Sequence, residues 1–175
     1  MIEFIVGGVR SGKSRYALLK ANQLQQQRNG HKIFVATGTA GDGEMSKRIE
    51  NHKKERDQSW GLIEEPLHLS RVLSELDGSE TVLIDCLTLW VTNWLCADDF
   101  NGWSFEKNAF LSELDKSNAA VIVVSNEVGL GVTPMGELSR KFVDECGWLH
   151  QQVATQSDRV TIVQLGIPKT IKSEP

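Results

Sequence analysis

The chain has 175 residues, of which 40% are hydrophobic and 24% charged, and its net charge at pH 7 is −4. These values are typical of a globular protein, and the length predicts one domain over residues 1–175 with a sizeable core. The weak negative charge argues against bulk attraction to nucleic acid or a membrane surface, and no apolar run approaches the length that crosses a bilayer.

Five short apolar runs are predicted to be buried strands of a parallel sheet. They are Glu3–Val6, Lys32–Ala36, Thr81–Ile84, Ala119–Val124 and Arg159–Gln164. Helical spacing is found in Ser14–Gln27, Glu44–Gln58, Leu67–Leu76, Leu87–Cys96, Phe105–Lys116 and Met135–Gln156. This alternation predicts right-handed βαβ crossovers in a doubly wound α/β domain. Such sheets bind ligands at the carboxyl ends of their strands, which nominates loops 7–14, 37–43, 85–88 and 125–133.

The first of these loops carries the most informative motif. Residues 7–14 read G-G-V-R-S-G-K-S, which matches the phosphate-binding P-loop pattern G-x-x-x-x-G-K-S. Gly7 and Gly12 permit a tight turn that aims several N–H groups at one point, and Lys13 adds a positive charge there. Ser14 offers a hydroxyl to Mg²⁺, and the following helix presents its positive end. A chance match in a glycine-rich turn is the alternative, but a strand-like and a helix-like segment flank the motif correctly, so we expect nucleoside triphosphate binding.

Asp85 follows the apolar run Thr81–Ile84 directly. A P-loop protein needs an acid at the end of a neighbouring strand to hold Mg²⁺ or its water shell, and Asp85 is the best candidate. The alternative is a helix N-cap, because aspartate is favoured there and a helix-like segment follows.

Segment 48–56 carries an uncommon arrangement of charges. On a helix, Arg48, His52 and Arg56 lie on one face, with the imidazole between two guanidinium groups. Such a face favours the neutral histidine and binds phosphate oxygens, as attack on a nucleotide phosphorus requires. The alternative is a solvated helix with a surface histidine, stabilised by pairing of Glu50 with Lys54.

Loop 125–134 follows a fully apolar strand and contains a single acid, Glu127. Glu127 could accept a hydroxyl proton or hold a metal-bound water, or the loop could be a turn whose glycines serve geometry alone. Pro134 fits the first position of a helix, with Thr133 as its cap.

The remaining aromatic, cysteine and histidine residues are expected to be structural. Trp90 and Trp94 share an apolar face that favours core or subunit packing over a ligand platform. The cysteines have no zinc-binding spacing and are expected to be buried thiols in a reducing cytoplasm; they are Cys86, Cys96 and Cys146. Three single histidines are interpreted as structural or surface residues; they are His31, His68 and His150. The amino terminus enters the first strand at once, so no signal peptide is expected.

Six stretches together resemble one family over nearly the whole chain. They are GGVRSGKSRYAL at the amino end, VATG at 35–38, EMSKRIENHKKERDQSW at 44–60, VLIDCLTLWVTNWL at 82–95, VSNEVGLGVTP at 124–134 and GIPKTIK at 166–172. Their order and spacing resemble the bifunctional adenosylcobinamide kinase/adenosylcobinamide-phosphate guanylyltransferase family of cobalamin biosynthesis. The resemblance implies a P-loop domain with RecA-like topology, a cytoplasmic location and a homotrimer, which an exposed Trp90 and Trp94 face would suit.

The resemblance also implies two reactions on a corrinoid substrate. ATP or GTP phosphorylates the aminopropanol hydroxyl of adenosylcobinamide, and GTP then gives GMP to a histidine with loss of pyrophosphate. The adenosylcobinamide phosphate takes the GMP, which yields adenosylcobinamide-GDP. The family histidine falls on His52, preceded by Asn51 where some members have a second histidine.

The family's nucleotide contacts fall on a defined set of residues, with Mg²⁺ assigned to Ser14 and Asp85. The set is Gly7, Gly8, Val9, Arg10, Ser11, Gly12, Lys13, Ser14, Ala36, Thr37, Gly38, Lys53, Lys54, Glu55, Arg56, Glu64 and Asp85. Two alternatives remain: a small-metabolite kinase with one activity, and a non-catalytic GTP-binding regulatory module. The chain lacks the guanine-specificity motif N-K-x-D that such a module is expected to carry.

Overall fold

A computed structural model describes residues 1–28, 30–38, 59–97, 100 and 102–173. Its strands are β1 (Ile2–Gly7), β2 (Lys32–Ala36), β3 (Trp60–Glu64), β4 (Thr81–Asp85), β5 (Ala120–Asn126), β6 (Arg159–Gln164) and β7 (Ile167–Ser173). Its helices within these ranges are α1 (Lys13–Gln25), α2 (Leu69–Ser74), α3 (Leu87–Leu95), α4 (Gly102–Lys116) and α5 (Glu137–Gln156). The predicted helix Glu44–Gln58 lies outside the described residues.

The described strands form one sheet in the order β3-β2-β4-β5-β1-β6-β7. Strands β1 to β6 pair in parallel, and β7 runs antiparallel to β6 at one edge. The P-loop strand β1 therefore lies between β5 and β6, and β5 separates it from β4. The predicted mainly parallel α/β sheet is confirmed.

Alternation along the central strands divides the core into two layers. On β1, Phe4 and Val6 face the larger layer, which packs against α2, α3, α4 and α5, whereas Ile5 faces the smaller layer with α1. Strands covered on both faces carry apolar residues at successive positions, and this is why the five predicted strand runs are so apolar.

Two strands, β3 and β7, are not predicted by the sequence pattern. Both lie at the sheet edges, and their residues are mostly exposed. Strand β7 carries a proline and two lysines and is exposed at nearly every position. Edge strands of this composition lack the apolar run on which the prediction depends.

Two local predictions are wrong. Helix α5 begins at Glu137 with Gly136 as its N-cap, so Thr133 and Pro134 lie in the preceding loop. The Arg140 guanidinium donates hydrogen bonds to the carbonyl oxygens of residues 134 and 135, which holds that segment outside the helix.

Cys96 is exposed because it ends α3 at the surface, whereas Cys86 and Cys146 are buried as predicted.

The two tryptophans of α3 lie in the core. Trp90 is fully buried and Trp94 nearly so, because both pack on Trp103 of α4 and donate their indole N–H groups to the Leu67 carbonyl oxygen. The core interpretation of these two tryptophans is confirmed, and they offer no exposed face for subunit contacts.

Candidate functional site

The P-loop connects β1 to α1 with a backbone that requires glycine. Gly12 has φ +92°, a left-handed conformation that glycine adopts without a Cβ clash. A Cβ on Gly7 would collide with the Val163 carbonyl oxygen and the Ser11 hydroxyl, so β1 and β6 approach closely only because residue 7 is glycine. Within the loop the Ser11 amide donates to the Gly8 carbonyl oxygen at 3.2 Å.

Lys13 begins α1 and is largely buried. Its Nζ donates to the Gly8 carbonyl oxygen at 3.1 Å, which places the ammonium group across the mouth of the loop. A positive charge at this position, next to the amino end of a helix, forms a site for phosphate oxygens.

Ser14 and Asp85 meet beside the P-loop, although they lie on different elements. The Ser14 hydroxyl donates to Asp85 Oδ2 at 3.0 Å, although the two residues are 71 positions apart in the sequence. The N-cap of α3 is Cys86, not Asp85, and the helix has no side-chain cap hydrogen bond within the described residues, so the alternative role of Asp85 as a cap is wrong. A hydroxyl and a carboxylate oxygen are the hard ligands that Mg²⁺ prefers, so this pair fits that ion.

Two other predicted site residues lie with Asp85 at the carboxyl ends of neighbouring strands. Ala36 ends β2 in register with Glu64 at the end of β3 on one side and with Asp85 on the other. Glu64 is exposed and projects from this row of strand ends. The sheet thus brings the three positions side by side, close to the P-loop helix.

Thr37 follows β2 and is fully buried. Its hydroxyl donates to the Cys86 carbonyl oxygen and accepts from the Cys86 amide, both at 2.8 Å. The Thr37 amide also donates to the Asp85 carbonyl oxygen at 3.2 Å. The Thr37 side chain therefore fixes the backbone that carries Asp85, and Gly38 continues the chain toward the undescribed segment.

Sequence reasoning missed Glu65, a buried acid directly after β3. Burial alone would raise its pKa, but hydrogen bonds from the His68 and Leu67 amides, together with Arg71, lower the pKa overall. This carboxylate holds the turn between β3 and α2. A single acid in a short turn gives no distinctive signal in the sequence.

His150 lies under the carboxyl end of β5, where its Nε2 is 2.7 Å from the Ser125 hydroxyl. Burial lowers the pKa of His150 to about 4, although the nearby Glu127 charge works in the opposite direction. The histidine is therefore neutral at physiological pH, in agreement with its structural interpretation.

A cavity of about 720 Å³ lies against the P-loop. We call it the P-loop cavity: its lining includes loop residues 8–11, Glu127, Leu130 and the end of β6 with Leu165. Glu127 is anchored there, because its amide donates to the Gly7 carbonyl oxygen at 3.1 Å and its Oε1 accepts from the Gly129 amide at 2.6 Å.

Several predicted site residues lie outside the described residues. They are Arg48, Asn51, His52, Lys53, Lys54, Glu55 and Arg56. Among the residues that the structure describes, no three His, Cys, Asp or Glu side chains group as metal ligands, and no helix is long and apolar enough to span a membrane.

Comparison with known proteins decides the family. The sequence profile described as "Cobinamide kinase / cobinamide phosphate guanyltransferase" matches residues 3–171. The bifunctional adenosylcobalamin biosynthesis protein CobP of Pseudomonas aeruginosa is 46% identical over 176 residues, which cover 100% of this chain and 99% of that protein. The chain belongs to this family. Its Escherichia coli relative CobU, also named a bifunctional adenosylcobalamin biosynthesis protein, is 32% identical over 188 residues, 98% of this chain and 100% of that protein.

Solved structures of other proteins share the fold of this chain. The KaiC-like protein PH0186 of Pyrococcus horikoshii superimposes with a TM-score of 0.52 at 13% identity, covering 92% of this chain and 69% of that one. A second solved structure, an ATPase domain, gives 0.52 at 11% identity, covering 92% and 68%. At such low identity the similarity concerns the fold alone, and it confirms the predicted RecA-like topology.

Proposed function

We propose that this chain carries out two transfers on a corrinoid. It first phosphorylates the hydroxyl of adenosylcobinamide with ATP or GTP, and it then transfers GMP from GTP to the resulting phosphate. The observation that carries the proposal is the contact between Ser14 and Asp85 beside Lys13, in a chain of the cobinamide kinase/guanyltransferase family.

In the first transfer the P-loop binds the triphosphate through backbone amides of residues 8–14 and through Lys13. Ser14 and Asp85 would hold Mg²⁺, which neutralises charge on the phosphate oxygens when it is bound. Burial of the Lys13 stem keeps its ammonium group at the loop mouth, so the terminal phosphate is oriented before the acceptor arrives.

In the second transfer the neutral imidazole of His52 attacks the α-phosphorus of GTP. A nitrogen–phosphorus bond forms, the bond from the α-phosphorus to the bridging oxygen breaks, and pyrophosphate leaves. An oxygen of adenosylcobinamide phosphate then attacks the same phosphorus, which releases the histidine and forms the diphosphate linkage.

Support for the guanine nucleotide site comes from the row of strand ends. Ala36, Glu64 and Asp85 lie in register at one sheet edge, and Thr37 and Gly38 continue from β2 toward the segment that contains His52. The Glu64 carboxylate could accept hydrogen bonds from a guanine ring. We assign the remaining contacts to Lys53, Lys54, Glu55 and Arg56.

The test uses GTP labelled on the α-phosphate, with Mg²⁺, followed by denaturation of the protein. We expect label on the chain that is lost in mild acid and kept in base, because phosphoramidates have that stability, together with release of pyrophosphate. His52→Ala should remove the label. His31→Ala is the matched control, since His31 is an exposed histidine at the opposite, amino end of β2.

Label that persists in His52→Ala would eliminate His52 as the nucleophile. A parent protein that binds GTP and Mg²⁺ but takes up no label would leave only the single-activity kinase. We further propose that the protein is a cytoplasmic homotrimer. Sedimentation of the purified protein tests its oligomeric state directly.

A further inference from the structure

The rim of the P-loop cavity is apolar and faces solvent. Val9, Leu130 and Leu165 are 71%, 82% and 94% exposed, and all three line the cavity. Large apolar side chains grouped in this way around a cavity mark a binding surface, because a ligand that covers them removes apolar surface from water.

Backbone strain is concentrated at the same cavity. Among the residues that the structure describes, Arg10 and Leu165 are the only ones other than glycine with positive φ, at 56° and 54°. Both line the P-loop cavity. A leucine in this conformation is disfavoured relative to glycine or asparagine. Leu165 adopts it because Leu165 and Gly166 form the two-residue turn between the antiparallel strands β6 and β7.

The P-loop cavity adjoins the place where the P-loop would hold the phosphates of a nucleotide. A P-loop lysine reaches the β- and γ-phosphates, and Lys13 Nζ lies 3.1 Å from the Gly8 carbonyl oxygen. Gly8 also lines the cavity. A molecule in the cavity is therefore placed next to the phosphate that is transferred.

Glu127 is the only acid among the described residues that line the cavity. Its backbone is tied to the P-loop through Gly7, and its Oε1 is held by the Gly129 amide. These two contacts fix a carboxylate at the junction between the apolar rim and the P-loop, where the hydroxyl of an acceptor would enter.

We propose that the P-loop cavity binds the hydroxyl-bearing arm and adjoining apolar edge of the phosphoryl acceptor, and that Glu127 takes the hydroxyl proton. This inference rests on the proposed function. The acceptor oxygen forms a bond to the γ-phosphorus, the bond from that phosphorus to the β–γ bridging oxygen breaks, and the nucleoside diphosphate leaves. The proton passes to the Glu127 carboxylate.

The first variant, Glu127→Gln, separates the two reactions. Its amide oxygen can still accept from Gly129, but it cannot take a proton, so we expect kcat for adenosylcobinamide phosphorylation to fall about 10²–10⁴-fold. Guanylyl transfer to adenosylcobinamide phosphate should continue, because a phosphate monoester with a second pKa of about 6 is already ionised and needs no base.

The second variant, Leu165→Asn, tests the rim without disturbing the turn, since asparagine tolerates positive φ. We expect KM for adenosylcobinamide to rise about tenfold or more, while nucleotide KM stays unchanged. Ile171→Asn is the matched control: Ile171 is 57% exposed on β7 and does not line the cavity, so its KM for adenosylcobinamide should match the parent.

The outcomes distinguish this inference from the proposed function. If the parent phosphorylates adenosylcobinamide and both variants behave like the parent, the assignment of the cavity is wrong and the proposed function stands. Equal loss of both reactions in Glu127→Gln would overturn the base role in favour of a structural or metal-holding one. A parent that binds nucleotide but never phosphorylates adenosylcobinamide would overturn both.

Discussion

Two groups of apolar side chains in this protein are chemically alike but differ in surroundings. Trp90, Trp94 and Trp103 form a tryptophan cluster in which the rings of Trp90 and Trp94 lie 4.9 and 6.4 Å from that of Trp103, measured between centroids. The rim of the P-loop cavity, Val9, Leu130 and Leu165, instead has its side chains in solvent. The cluster stabilises the fold because its surface is already buried, whereas the rim retains exposed apolar surface that a bound molecule can bury.

The largest effect that we expect follows from a substitution in the tryptophan cluster. Trp90→Ala should lower the free energy of unfolding by about 3–5 kcal/mol, because it leaves a cavity and removes a hydrogen bond to the Leu67 carbonyl oxygen. Urea titration measures this change. Trp148→Ala, at a half-exposed tryptophan of α5, should change it by less than about 0.5 kcal/mol. Equal losses in the two variants would remove the distinction between buried and exposed aromatic groups.

The second prediction concerns the ligand side of the comparison. Lys13→Ala should weaken nucleotide binding by about 3 kcal/mol and abolish both reactions, because a charge-assisted contact to phosphate is lost. Calorimetric titration with GTP checks the affinity, and circular dichroism checks that the fold is retained. Parental GTP affinity in a folded Lys13→Ala protein would contradict the P-loop assignment.

The third prediction concerns Asp85, which lies at the carboxyl end of β4 and belongs to neither the tryptophan cluster nor the rim. We expect Asp85→Asn to give a folded protein whose Mg²⁺ requirement rises about tenfold, equivalent to about 1.4 kcal/mol, since an amide oxygen is a weaker ligand than a carboxylate. A Mg²⁺ titration of turnover at saturating nucleotide measures this shift. Asp115→Asn, at an exposed aspartate of α4, is the control and should leave the titration unchanged.

The smallest effect concerns Glu3, a fully buried acid at the amino end of β1. Burial raises the pKa of Glu3 above its usual 4.5, and its Oε2 has no hydrogen-bond partner within the described part of the chain. A raised native pKa means that the folded state binds the proton more tightly, so stability falls as pH increases above 4.5. Glu3→Gln should therefore raise the free energy of unfolding by about 1 kcal/mol at pH 7.

Unfolding measured across pH tests the sign of this linkage. The gain in Glu3→Gln should be full above the native pKa of Glu3 and should vanish below the usual glutamate pKa, where both states of the parent are protonated. A gain that grew in acid would show that another group controls the difference.

The sequence predicts those parts of the molecule in which local pattern and burial agree. The strands Lys32–Ala36 and Arg159–Gln164 have the predicted bounds, because strands inside a parallel sheet carry continuous apolar runs. The edge strand β7 escapes prediction, because its exposed residues need only backbone pairing with β6. Helix starts such as that of α5 depend on side-chain contacts, here from Arg140, that no spacing rule records.

The same division holds at the candidate site. The P-loop motif and the place of Asp85 at the end of a strand can be read from the sequence because each is a contiguous pattern, while the roles assigned to these residues stay predictions. The P-loop cavity could not be predicted, because it joins Glu127 and Leu165 from separate loops through the order of the strands. The assignment of His52 stays a prediction, since that residue lies outside the described part of the chain.

The place of β1 in the sheet has a consequence for how the protein is made. This strand leaves the ribosome before both of its partners, because β5 and β6 begin at Ala120 and Arg159. Strand β1 therefore stays without these two partners until the residues of β5 and β6 have been synthesised, and until then the phosphate loop lacks its supporting neighbours. We expect nascent chains that end before Arg159 to lack nucleotide binding, so that the substrate site forms only after β6 has been synthesised.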